Sequence, residues 1–459
     1  MSQNHPKEHH FASARHIVQT LVNNGYQAFF AGGSVRDMLL GNDTEGDIDI
    51  ATNATPKTIS ALFPHVIPVG EHFGVMLVVH QSIPFEVATF RSDVGIGDGR
   101  HPEAVVFTDA QTDAQRRDFS INGLFFDPLS EQLFDYVGGK ADLEAGIIRA
   151  IGEPRLRFEE DYLRLLRGIR FAARFDFAID PRTWEALCEQ SAGIRAISAE
   201  RVFQELNKML LGPRPHRAIE LLKTSGLLPH ILPHVAQMDG VEQPVEFHPE
   251  GDVLEHTLLA LSLLPPQRSL ALAWGALLHD IGKPPTMTRT DRIRFNNHHH
   301  VGAEMAQGLL RKLRAPNELI GSVCAIVENH MNFMNVTQMR RSTLKRFLSR
   351  PTLGDELELH RADCLASHGD TSNIDFLQEQ LRTFVHEQLK PPALLSGKDL
   401  IALGFAPGPL FGHILEDVYE QQLEESIITR EEAVAWVEQK FSHLRPPSPT
   451  DPSEQLCAQ

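Results

Sequence analysis

Residues 32–52 read "GGSVRDMLLGNDTEGDIDIAT". Asp47-Ile48-Asp49-Ile50 alternates with period two, so one strand should carry both carboxylates on one face and both isoleucines on the other. Two like charges so close repel unless a cation lies between them. A hard divalent ion such as magnesium suits the pair, because it takes oxygen ligands and shares its remaining positions with water and phosphate. The glycines upstream, Gly32 and Gly33, let backbone N–H groups approach a triphosphate closely, and Arg36 is placed to pair with its oxygens. An Asp-x-Asp or a Gly-Gly alone is commonplace; the combination at this spacing points to a site.

Working outward, residues 12–30 predict a helix running into a short strand, "QAFFAGG". "TPKTISALFP" carries a helix start at Thr55 and Pro56 and a stop at Pro64. "GVMLVVHQ" and "PFEVATFR" read as strands. From "RFEEDYLRLLRGIRFAARFDF" onward the pattern is helical, and "ISAERVFQELNKMLLG" is punctuated by Ser198 as N-cap and Gly212 just past its end. Apolar periodicity lapses around "MDGVEQPVEFHPEGD", which predicts a boundary near residue 245. The fold class expected is α+β: a head with a mixed sheet and helices over 1–140, then all-α regions. Those are a neck over 141–244, a histidine-rich region over 245–370, a further helical region over 371–444 and a disordered tail over 445–459.

Bulk properties narrow the function. A chain of 459 residues is long enough for several domains. Its four cysteines (Cys188, Cys324, Cys364 and Cys457) contain no Cys-x-x-Cys, which fits a reducing cytoplasm and argues against thiolate zinc. "MSQNHPKEHHFASARH" lacks the apolar core of a signal peptide, and the apolar region Leu258–Leu278 is interrupted by "PPQR", so no membrane span is expected. A net charge of −17 excludes a surface uniformly attractive to nucleic acid. The stretch Lys140–Lys223 escapes that acidity and is the candidate basic surface.

"GGSVRDMLLG…DIDIAT", then "TFRSDVGIGDGRHPEAVVF", then "QRRDFSING", in unbroken order, resembles the head of the class II tRNA nucleotidyltransferases, the CCA-adding enzymes and poly(A) polymerase relatives of the polymerase β superfamily. The resemblance implies a polymerase-β-like head in which Asp47 and Asp49 are catalytic and bind Mg2+, with Glu86 on a neighbouring strand as a weaker third carboxylate. It implies nucleotide binding by Gly32, Gly33, Arg36, Arg116, Arg117, Asp118 and Asn122. Glu160, Asp161 and Arg164 match an EDxxR motif; on one helix, Asp161 and Arg164 would be i,i+3 neighbours on a shared face. A carboxylate beside a guanidinium matches the exocyclic amine and unprotonated ring nitrogen common to cytosine and adenine, an order that uracil and guanine invert. Arg167, on the same helix, joins the nucleotide set, and with Arg170 and Arg174 it is expected to face a tRNA acceptor arm. Glu200, Arg201 and Glu205 match ERxxxE and read as a structural brace within one helix.

The reaction implied is addition of nucleotides from CTP and ATP to the tRNA 3′ end, building or repairing CCA without a nucleic-acid template. An A-adding tRNA nucleotidyltransferase or a poly(A) polymerase is the alternative of the same class. The flexible-loop segment "RSDVGIGDGRHPEAV" is present at length, which disfavours an enzyme that stops after two cytidines.

His256 in "LEHTLLAL", His279 and Asp280 in "ALLHDIGKPPT" and Asp363 in "HRADCLAS" resemble the ordered ligand set of the HD phosphohydrolases. That set implies a divalent transition metal. His298, favoured over His299 and His300, and His330 fall where two-metal relatives place further ligands. A metal-dependent phosphohydrolase using the front half as an RNA-binding module is therefore the alternative of another class.

Overall fold

The computed structural model describes residues 5–41, 48–94, 104–244, 251–384 and 389–445. Asp47, most of the loop segment after Arg91 and nearly all of the expected tail lie outside these residues.

The head is built on a mixed sheet. Its strands are β1 (Ala28–Ala31), β2 (Ile50–Thr52), β3 (Val66–Gly70), β4 (Val75–His80) and β5 (Ile83–Thr89); β6 (Arg91–Val94) and β7 (Ala104–Phe107) form a separate hairpin, and β8 (Leu124–Asp127) and β9 (Gln132–Asp135) return to the sheet. The order is β3-β4-β5-β2-β1-β8-β9, with β2 and β5 parallel and the remaining neighbours antiparallel. Alternation along β2 and β5 sends Ile48, Ile50, Phe85 and Val87 to one face. There they pack against Ala14, Ile17, Val18 and Leu21 of α1 (His5–Asn23) and Ile59 of the helix that follows β2. Ala51 turns to the opposite face with Phe29, Ala31, Phe90 and Phe125. Thr55 caps the helix at Pro56–Leu62 by accepting the Thr58 N–H, as its sequence predicts.

The head also carries the helices Gly33–Leu39 (α2), Pro56–Leu62 (α3), Ala110–Gln115 (α4), which follows the hairpin, and Gly139–Ala145 (α5). The neck follows with α6 (Pro154–Glu160), α7 (Leu163–Phe175), α8 (Pro181–Glu189) and α9 (Ala199–Leu210). The expectation that Asp161 and Arg164 share one helix is not met. Asp161 has φ −158° and ψ 103°, extended backbone that ends α6, and its carboxylate accepts the Leu163 N–H at 3.0 Å to start α7.

Neck and histidine-rich helices share one hydrophobic core, which runs from Phe119 through Leu206 and Met238 to Trp274, Ile326 and Ala366. Trp274 is fully buried, its indole N–H donates to Asn207 Oδ1 of α9 at 2.8 Å, and its ring stacks on Phe203. Packing therefore continues across the stretch where apolar periodicity lapses. Two smaller clusters, one centred on Phe333 and Phe347 and one on Leu400 and Val437, complete the C-terminal part. No described helix is long and apolar enough to cross a membrane.

Candidate active site and metal centre

Gly32 sits between β1 and α2 with φ +68°, where a side chain is strained, and a Cβ there would stand 2.8 Å from Arg117 Nη1 and 4.0 Å from Asp49 Oδ2. Asp49 immediately precedes β2, its carbonyl accepts the Ala31 N–H at 2.9 Å, and its side chain lies on the face opposite Ile48 and Ile50. The register that pairs Ile50 with Val87 and Ala51 with Ala88 brings Glu86 beside position 49 on the neighbouring strand, with its side chain exposed. A glycine cradle, a carboxylate and a guanidinium thus meet at one point.

The RRD segment is held from both sides. Arg117 Nη1 donates to the Asn122 carbonyl at 3.2 Å and its guanidinium lies over the Phe125 ring. Asp118 accepts from Arg167 Nε at 2.7 Å, Asn122 Nδ2 at 2.9 Å and the Phe119 N–H at 2.8 Å. Burial opposes the ionised form of Asp118, but the Arg167 charge and these hydrogen bonds outweigh it and hold the carboxyl well below its ordinary range. Arg167 in turn is raised by the Asp118 charge.

Arg36 departs from expectation. It is only 4% exposed; Nη1 donates to Asn122 Oδ1 at 2.5 Å, Nε donates to Asp37 at 2.9 Å, and the guanidinium lies 5.1 Å from the Phe171 ring and 4.7 Å from the Phe175 ring of α7. Burial lowers its pKa. Arg36 thereby rivets head to neck, its guanidinium resting against two neighbouring rings of α7.

Asp161 and Arg164 also pair differently from expectation. Asp161 takes a two-pronged contact from Arg201, at 3.2 and 2.7 Å, while Arg164 pairs with Glu160 and donates to the Arg157 carbonyl at 2.7 Å. Glu205 accepts from Arg170 at 2.6 Å and Lys208 at 3.1 Å rather than from Arg201. The ERxxxE brace therefore runs between helices, from α9 to the α6–α7 junction and to α7. The expected RNA-facing row is likewise engaged internally: Arg170 with Glu205, Arg174 with Asp37 at 3.1 Å, Arg167 with Asp118.

In the second half, two groups of side chains converge: His256, His279 and Asp363, and Asp280, His298 and His330. Nδ1 of His279, His298 and His330 lies 2.9, 2.8 and 2.6 Å from the carbonyls of Ala276, Phe295 and Val327. A carbonyl only accepts, so each Nδ1 donates and Nε2 is the ring nitrogen that each histidine turns into the cluster. The lone pairs of His298 and His330 face each other, Nε2 to Nε2 at 3.1 Å, and His279 Nε2 lies 3.4 Å from His256 Nε2, which itself stands 2.9 Å from Asp363 Oδ1. Burial and the neighbouring His279 and His298 push His330 down to about 3, and burial lowers His298 as well, so a proton does not bridge these two rings at neutral pH. A metal cation does fit. Asp280 lies between the groups, Oδ2 being 3.3 Å from His279 and Oδ1 3.5 Å from His298. Burial opposes its ionisation, yet His279 and Lys283 keep its pKa well below the ordinary value. His300 is exposed and pairs with Glu328.

Three family models match in the order of this architecture: the poly A polymerase head domain over residues 28–149, a probable RNA and SrmB-binding site of polymerase A over 176–238, and the HD domain over 253–367. The CCA-adding enzyme of Lactococcus lactis subsp. lactis (strain IL1403) is 31% identical over 439 residues, 94% of this chain and 97% of that one. This chain belongs to the CCA-adding enzyme family. The family member from Geobacillus sp. (strain WCH70) is 43% identical over 218 residues, an alignment that covers 47% of this chain and about half (54%) of that CCA-adding enzyme. The crystal structure of the Bacillus stearothermophilus CCA-adding enzyme in complex with CTP superimposes with a TM-score of 0.73 at 26% identity, over 95% of this chain and 98% of that one.

Sequence reading missed three residues that the structure sets against these sites, Asp113, Arg157 and Gln243. Arg157 donates to the Ile151, Arg116 and Gln115 carbonyls, so it ties α6 to the RRD segment. Gln243 accepts from Lys283 Nζ at 2.5 Å beneath Asp280. Only Asp113 left a local signal, since it lies three and four residues before Arg116 and Arg117; the other two act through contacts that spacing does not encode.

Proposed function

We propose that this chain transfers nucleotides from CTP and ATP to the 3′ end of tRNA, completing or repairing CCA in the cytoplasm, with Mg2+ as the cofactor of the head. The observation that carries the reading is Asp49 beside the Gly32 cradle, with Arg117 on one side and Glu86 on the next strand. The oxygen donors of Asp49 and Asp47, with Glu86, suit Mg2+, which when bound lowers the barrier to in-line displacement at a phosphorus. The RNA 3′-hydroxyl forms a bond to the α-phosphate and pyrophosphate leaves. Gly32 and Gly33 admit the triphosphate close to backbone N–H groups; Arg116 and Arg117 balance its charge. Asp118 and Asn122 hold the segment that carries those arginines, and Arg167 joins it to α7. Asp161, oriented by Arg201, and Arg164, oriented by Glu160, offer their remaining edges to the base, so cytosine and adenine are satisfied where uracil and guanine leave buried polar groups unpaired.

Purified protein given tRNA ending at the discriminator base, with Mg2+ and CTP plus ATP, should add three nucleotides, and Asp49→Ala should add none. CTP alone should yield two cytidines; absence of cytidine addition would transfer the chain to the A-adding class.

The facing Nε2 atoms favour a second reading alongside the first. His256, His279 and Asp363, with Asp280 shared between groups and His298 and His330 beyond it, would hold one or two divalent transition metals, which when bound activate water toward a phosphoester. Full-length protein should carry metal by elemental analysis and hydrolyse a 2′,3′-cyclic phosphate or a phosphodiester, with both losses in His279→Ala and Asp280→Ala while nucleotide incorporation persists.

A further inference from the structure

We propose that Asp113 is a positioning residue of the nucleotide site: one buried carboxylate that sets Arg116 and Arg117 side by side for the triphosphate and anchors the root of the β6–β7 hairpin to them. The inference rests on the reading of the head given above. Asp113 lies in α4 and is 2% exposed. Arg116 reaches Oδ1 through Nε at 2.9 Å and Nη2 at 2.8 Å, and Arg117 reaches Oδ2 through Nε at 3.2 Å and Nη2 at 3.0 Å. Each guanidinium thus turns its Nε–Nη2 edge to one carboxylate oxygen of its own, two charge-assisted hydrogen bonds that share an acceptor and fix the plane of each cation.

Two adjacent guanidiniums repel, and without an anion between them they would splay apart. Burial opposes the ionised form of Asp113, but Arg117 and Arg116 outweigh it and its pKa lies below the ordinary carboxylate value. Arg117 is fixed at its other end as well, by the Asn122 carbonyl and the Gly32 cradle. Its position therefore follows from Asp113 on one side and the sheet on the other. Burial separates this cluster from an ordinary surface ion pair, which contributes little. The Arg91 N–H also donates to Asp113 Oδ1, at 3.2 Å. Arg91 opens β6 and pairs with Phe107 of β7, so the carboxylate that spaces the arginines also holds the hairpin at its base.

The test compares full-length Asp113→Asn and Asp113→Glu with the parent chain on tRNA lacking CCA. Asp113→Asn should raise KM for both CTP and ATP, and the inhibition constant of pyrophosphate, by about tenfold or more, as expected when charge-assisted contacts lose their geometry, with KM for tRNA unchanged. Asp113→Glu should recover part of that loss, and amide exchange across β6–β7 should quicken in Asp113→Asn. Unchanged KM and pyrophosphate inhibition in Asp113→Asn would overturn the inference, as would equal loss of thermal stability in both variants with no shift in nucleotide KM. An inactive Asp49→Ala beside normal nucleotide binding by Asp113→Asn would sink this inference alone; a fully active Asp49→Ala would sink the reading beneath it.

Discussion

Gly32 shows how much of the site one residue decides. Its φ of +68° is a conformation that glycine adopts at low cost, and the space a Cβ would fill is already taken by Arg117 Nη1 at 2.8 Å. Gly32→Ala therefore meets two penalties, backbone strain of about 1–3 kcal/mol and displacement of a guanidinium assigned to the triphosphate. The expected outcome is a chain that still folds, with a melting temperature a few degrees lower, and nucleotide incorporation reduced by about a hundredfold, as when a well-oriented binding group is misplaced by an ångström. Gly41 has a similar φ of +67° with nothing within 4 Å of its would-be Cβ, and Gly41→Ala should lose stability alone. Paired thermal melts and incorporation assays separate strain from site chemistry.

Among elements, α7 joins the head to the neck. Arg36 rests on its Phe171 and Phe175 rings, and its Arg167 holds Asp118 beside the short helical turn Ser120–Asn122. The sign of the pH dependence follows from Asp118. Its folded-state pKa is depressed, so the unfolded chain binds more protons as pH falls, and the stabilisation is whole above the ordinary carboxylate value of 3.8 and is lost as pH falls through and below it. Asp118→Asn should lower the melting temperature near neutral pH and flatten its decline below about pH 4. A variant as acid-sensitive as the parent would show that this pair does not couple the two regions. Asp118 is buried but Arg167 is 32% exposed, so removing the carboxylate's charge should cost less than the ~3–5 kcal/mol of a fully buried pair, a loss that calorimetry resolves.

For the whole molecule, the consequence of the shared core is that neck and HD helices stand or fall together. Phe203 and Asn207 of α9 close over Trp274, and Arg268 donates to the carbonyl of Leu210 at 2.9 Å. A fragment ending at residue 244 would expose the neck side of this interface, several large apolar side chains at about 1.5–3 kcal/mol each. It should melt at least about 10 °C below the full chain, or aggregate, as scanning fluorimetry and light scattering would report. A fragment as stable as the parent would show that the two regions are independent despite their contact.

The sequence by itself determined which chemistry stands where: the alternation that turns Asp49 away from Ile48 and Ile50, the glycine turn, the RRD segment, and the ordered histidines and aspartates that meet in the second half. These were legible because strand period, glycine dihedrals and short motifs are local properties. Only the tertiary structure decided the partners. Arg36 rivets the head to the neck because α7 places two aromatic rings against it. Asp161 turned to Arg201 because extended backbone at position 161 breaks the helix that would have set it beside Arg164. Arg170 reached Glu205 across the space between α7 and α9. Each choice is a contact between groups distant in sequence or aimed by the fold, whose energies depend on burial and approach angle, quantities that residue spacing does not carry.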